Sequence, residues 1–165
     1  MHRFTLPSTP QIVGRAVLVG VAAGLRSMTP LGILAVERND ASITGDWQDW
    51  PVLSSPTGRT LLQVSTVGEM VVDKMPFVLP RTDPRSLWAR LVTGAIAGMA
   101  IGTLRKDPGA RLAGATAGLA GSLAGAYGGY AYRTGVTRAT GLPDLPVALV
   151  EDVAAVLIAR KGVRG

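Results

Sequence analysis

Cysteine is absent from the 165-residue chain, which excludes disulfides, thiolate metal sites and cysteine nucleophiles. Histidine occurs once, as His2, so a His-based metal or catalytic centre is not expected. Phosphate loops of the GxxxxGK[ST] type and Ser/His or metal-ligand constellations are missing too. The chain therefore reads as a non-enzyme without a cofactor, and the sequence assigns no metal. Aromatics make up only 5% and charged residues 17%, against about 25% charged in soluble domains. A removable signal peptide is not expected either, because MHRFTLPSTPQ has no continuous apolar stretch before a small-residue cleavage site.

What remains is apolar and small. Hydrophobic residues account for 47% and glycine for 21 positions, with a mean hydropathy of +0.30. That balance points to an integral membrane protein, and the length to a single domain, 1–165. The net charge of +6 comes mostly from arginines that punctuate the ends of apolar runs. Lys and Arg flank membrane spans in this way. Nucleic-acid binding would need clustered cations with aromatics or a known motif, and is not expected.

A bilayer core of about 30 Å needs about 20 helical residues, and shorter apolar runs suggest broken or re-entrant helices. Five segments emerge: Ile12–Val36, interrupted by GLRSMTP with Pro30; Thr60–Val78; Leu87–Leu104; Leu112–Tyr132; and Pro146–Ala159. A polar loop, Glu37–Thr57, follows the first, and TGVTRATGLPDLP reads as a loop before the fifth. No strand alternation competes, so the expected fold is an all-α polytopic membrane bundle.

Small residues indicate how its helices meet. Gly20 and Gly24 lie in the first segment, and Gly94, Gly98 and Gly102 in the third. The fourth carries two ladders, Gly114–Gly118–Ser122–Ala126 and Gly121–Gly125–Gly129. Such GxxxG spacing lets helix backbones approach closely in lipid. Two ladders imply two neighbours and make the fourth segment the expected centre. A coding bias toward Gly and Ala is the plainer alternative.

If all five segments cross, the flanking cations divide almost evenly between the two sides. If the first re-enters, ten lie on one side and five on the other. The positive-inside rule then places both termini in the cytoplasm.

Charges interrupt the apolar pattern in GEMVVDKMP, Gly68 to Pro76. Glu69 and Asp73 share a helix face at a spacing of four, and in low dielectric they need a compensating cation or proton. Lys74 supplies part of that charge. Pro76 removes the hydrogen bond to the Val72 carbonyl and kinks the segment. Glu151 and Asp152 repeat the theme in the fifth segment, where only one of two adjacent acids readily faces the interior. Arg26, inside the first segment, needs these acids. Ionisable groups within a span are functional candidates. The plainer readings are a surface pair Asp73–Lys74 at the headgroup level and a snorkelling Arg26. A Gly-rich breakable segment followed by an acidic helix occurs near both ends of the chain, which suggests an internal repeat.

The stretches GLRSMTPL, GEMVVDKMPFVLPRTDP, ARLVTGAIAG, GAYGGYAYR and ALVEDVAA span most of the chain. In this order they resemble the family called domain of unknown function 4126. The resemblance implies a small multi-pass protein of the bacterial inner membrane and no particular activity. The expected function is a transporter or channel for an ion or small polar solute. In it Arg26, Glu69, Asp73, Lys74, Glu151 and Asp152 surround a polar cavity, within a homo-oligomer embedded in the lipid bilayer. The alternative is a structural or lipid-interacting module without transport.

Overall fold

The computed structural model describes residues 7–73 and 83–165, and every regular element among them is helical. Chain order is α1 (Thr9–Leu25), α2 (Thr29–Glu37), a 3₁₀ turn at Asp46–Asp49, α3 (Pro51–Ser54), α4 (Pro56–Val72), α5 (Pro84–Gly102), α6 (Pro108–Thr140) and α7 (Asp144–Arg164). Among the described residues no helix is long and apolar enough to cross a membrane. All-helical architecture thus agrees with expectation, whereas no single element carries a spanning signal.

Local chemistry sets the helix ends. Asp83 accepts a hydrogen bond from the Arg85 N–H ahead of Pro84, and Asp107 does the same for Gly109 ahead of Pro108. Both are side-chain N-caps, with proline at the first helical position where its missing N–H costs nothing. Ser55 caps α4 through Gly58. α6 stops at Gly141, whose φ of 67° is the left-handed conformation that glycine adopts without penalty.

Glycines bring the helices together. α1 runs parallel to α6, with Gly20 against Gly118 and Gly24 against Ser122. α5 runs antiparallel to α6, with Gly98 against Gly114 and Gly102 against Ala110. A Cβ at any of these glycines would collide with backbone of the facing helix. Of the two ladders of α6, Gly114 packs on α5, Gly118 and Ser122 lie against both α5 and α1, and Gly121 and Gly125 rest on the Val17 and Val21 carbonyls of α1. The centre, however, is α1. It packs on α2, α5, α6 and α7, and Ile12, Ala16, Val19, Ala22 and Ala23 are all fully buried.

The first segment turns back on itself. Arg15 near the start of α1 donates to the Gly162 and Val163 carbonyls of α7, while Glu37 at the end of α2 pairs with Arg164. Both ends of the α1–α2 hairpin therefore lie beside the end of α7, together with Asp46, Thr103 and Arg111. The break falls at Arg26–Met28, and Pro30 sits inside the first turn of α2. Pro30 starts the second helix and does not interrupt a continuous one.

Two further expectations change. The fourth segment is a single 33-residue helix that continues to Thr140, through residues read as a loop. Because α6 is unbroken where the first segment is broken, the expected repeat of a breakable segment is not reproduced. Within the loop after α2, Trp47 is fully buried and its backbone N–H donates to the Thr103 hydroxyl.

Candidate functional site

A broken helix exposes two sets of unsatisfied backbone groups: carbonyls where α1 ends and N–H groups where α2 begins. Charged side chains from two other helices meet them, one for each set. Arg90 of α5 donates through Nη1 to the Gly24 and Leu25 carbonyls, each at 2.8 Å, placing a cation at the negative end of α1. Glu69 of α4 takes the opposite role. Its Oε1 accepts from the Ser27 N–H (2.7 Å) and hydroxyl (2.6 Å), and its Oε2 from the Met28 N–H (2.7 Å). A carboxylate from elsewhere in the fold therefore caps α2.

Arg26, fully buried, occupies the break itself. Its Nη1 pairs with Asp73 and its Nε with Asp152 of α7 at 2.5 Å. Arg90 Nη2 lies 4.0 Å from both Glu69 and Asp73, joining the pairs into one network across α1, α4, α5 and α7. Ser122 of α6 adds a fifth element by donating to the Arg90 carbonyl at 2.7 Å. Ser122 lies about 21 Å along α6, at the 1.5 Å rise of a helix, so the network sits well inside the bundle. Two buried polar groups at the break, Arg26 Nη2 and the Thr29 hydroxyl, have no hydrogen-bond partner among the described residues.

Four of the six expected site residues thus converge: Arg26, Glu69, Asp73 and Asp152. Glu151 and Asp152 are both buried, at 2% and 8% exposure. They face different sides. Asp152 points to Arg26, and Glu151 lines an apolar groove of about 280 Å³ between α1, α6 and α7 with Gly125, Gly128 and Gly129. Lys74 and Pro76 lie outside the described residues, so the kink assigned to Pro76 does too. Among the described residues no group of His, Cys, Asp and Glu is arranged to hold a metal ion.

The family model for Domain of unknown function (DUF4126) matches residues 13–161. The chain belongs to this family. No curated protein and no solved structure matches it. The DUF4126 match contains every member of the network, Arg26, Glu69, Asp73, Arg90, Ser122 and Asp152.

Sequence reasoning missed Arg90, counting it among flanking cations. Its spacing carried the signal, since Arg90, Gly94 and Gly98 lie four apart on the face that packs closest. At the opposite end of the bundle, the Asp40 carboxyl is held below its usual range. The first cause is the Ser42 hydroxyl hydrogen bond, followed by the Ser42 N–H.

Proposed function

We propose that this DUF4126 protein is a membrane-embedded transporter or channel for an ion or small polar solute, with the Arg26 network as its polar centre. The observation that carries the reading is the broken helix itself. Discontinuous helices present the ends of two helix dipoles to a solute, and transporters build sites in this way. The orphaned Arg26 Nη2 and Thr29 hydroxyl at that break are groups a polar solute would satisfy.

The outer surface supports a lipid environment. Leu61, Val64, Val67 and Val71 are exposed along one side of α4, and Leu149, Val153 and Leu157 along α7. Leu112, Leu119 and Leu123 do the same on α6. Surfaces this apolar are uncommon on soluble monomers. Meanwhile the buried interior holds Arg26, Arg90 and the acids, a distribution that suits a bilayer. Among the described residues the absence of a strongly apolar span follows from composition: Gly dilutes hydropathy, Arg15 and Arg90 lie within helices, and Arg26 ends α1.

The test is flux. Purified protein in proteoliposomes is assayed for movement of protons, sodium, potassium and chloride, beside Asp73→Asn and Glu69→Gln variants. Flux of one of these by the wild-type protein, lost in Asp73→Asn while the variant still folds, supports transport. A second reading rests on the network's internal pairing, which suits a structural clamp holding the hairpin closed. Under that reading wild-type vesicles stay as tight as protein-free ones, and the variants lose thermal stability only.

A further inference from the structure

The end of the bundle that gathers Pro7, Glu37 and Gly165 holds a cleft of about 630 Å³. Three cations line it, Arg15, Lys161 and Arg164, and among the described residues no Asp or Glu side chain does. Arg164 is committed to Glu37 at 2.7 Å and to Asp40 at 3.4 Å. The other two, Arg15 and Lys161, are in no ion pair with an Asp or Glu among the described residues, and Gly165 lies beside the Arg15 guanidinium.

Arg15 is also held in place. Its Nε donates to the Gly162 carbonyl at 2.9 Å and its Nη2 to the Val163 carbonyl, while Nη1 makes no hydrogen bond among the described residues. Two backbone acceptors therefore fix the guanidinium, and Nη1, beside Gly165, is its remaining donor. Leu18, Ile43 and Leu104 give the cleft an apolar wall, and Gln11 and Thr44 also line it.

We propose that this cleft binds the headgroup phosphate of an anionic phospholipid. An oriented guanidinium with an adjacent ammonium is the combination that recognises phosphate. The apolar wall would take the first carbons of an acyl chain, which a free phosphate would leave exposed. The surroundings agree: Arg38, Arg59, Arg105, Lys106, Arg111 and Arg160 lie at this same end, forming the basic belt that anionic lipid attracts. The assignment rests on the membrane reading above but not on transport.

The experiment uses the full chain in a neutral detergent, with dioctanoyl phosphatidylglycerol, dioctanoyl phosphatidylcholine and inorganic phosphate as probes. Retention is read by native mass spectrometry, and stabilisation by the thermal midpoint. Phosphatidylglycerol is expected to be retained and to raise the midpoint, with phosphatidylcholine and phosphate doing neither at equal concentration. Lys161→Gln, which removes a cation without a structural partner, should weaken phosphatidylglycerol about five-fold, the effect of one cation at an anionic lipid surface. Its unliganded midpoint should not change. Lys106→Gln, at the same end but outside the cleft, should leave affinity as it was. Equal retention of both lipids, or equal weakening by the two variants, would overturn the site. Binding of inorganic phosphate with no preference for the lipid would overturn the lipid assignment. Release of the protein from cell membranes by salt alone would defeat the membrane reading separately, whatever the cleft binds in detergent.

Discussion

Arg26 and Arg90 are two buried arginines with different tasks, and their replacements should behave differently. Arg26 bridges Asp73 and Asp152, so Arg26→Ala leaves two largely buried carboxylates without their shared cation. Removing one partner of a buried pair costs about 3–5 kcal/mol, and denaturation in detergent should show a loss on that scale. Arg26→Lys should recover only part, because a single ammonium cannot reproduce the planar fork that reaches both acids. Glu69→Gln is less neutral than its charge suggests. Both carboxylate oxygens accept hydrogen bonds from the break, and an amide turns one acceptor into a donor facing an N–H. A loss of about 1–3 kcal/mol is expected, the cost of an unsatisfied buried donor, read as a lower thermal midpoint. Asp73→Asn is therefore the cleaner probe of flux. That Arg26 needs acids, and which acids were available, was legible from the residues alone. What those acids do was not, because capping of α2 by Glu69 depends on a hairpin that no local pattern encodes.

Glycine has two meanings within the helices, and substitution separates them. Gly121 and Gly125 press on the Val17 and Val21 carbonyls, and a Cβ at either position would overlap the α1 backbone. Gly121→Ala should force α1 and α6 apart and lower the thermal midpoint, with Gly121→Leu worse. Gly135, in the same helix, has nothing within 4 Å of an added Cβ. There Gly135→Ala should stabilise by about 0.5–1 kcal/mol, the difference in helix propensity. Equal effects at the two positions would show that the Gly121 contact does not hold the helices. The ladders in α6 were legible because four-residue spacing is a local pattern. Its far end was not, since Gly135 and three threonines resemble a loop. The helix continues because Gly141 provides the stop and Arg133 pairs with Asp144 across the turn.

At the scale of the whole molecule, helix directions decide topology. α1 rises from the basic end and α2 returns to it. α4 and α5 then make one excursion, and α6 and α7 make another that ends beside Arg15. Pro7 and Gly165 consequently line the same cleft. The hairpin is what produces this arrangement. With Ile12–Val36 folded back at Arg26–Met28, an otherwise odd number of passages becomes even. Cations such as Arg38, Arg59, Arg111 and Arg164 then collect at one end, while Arg85, Arg133 and Arg138 lie toward the other. If the bundle is membrane-embedded as proposed, an excess of Lys and Arg on one side fixes that side as cytoplasmic. Reporters fused ahead of Pro7 and after Gly165 should both report the cytoplasm, and one inserted at Gly141, between α6 and α7, the opposite face. Termini on opposite faces would mean that α1 and α2 cross as one span, which would pull Glu37 away from Arg164 and dismantle the site at the break.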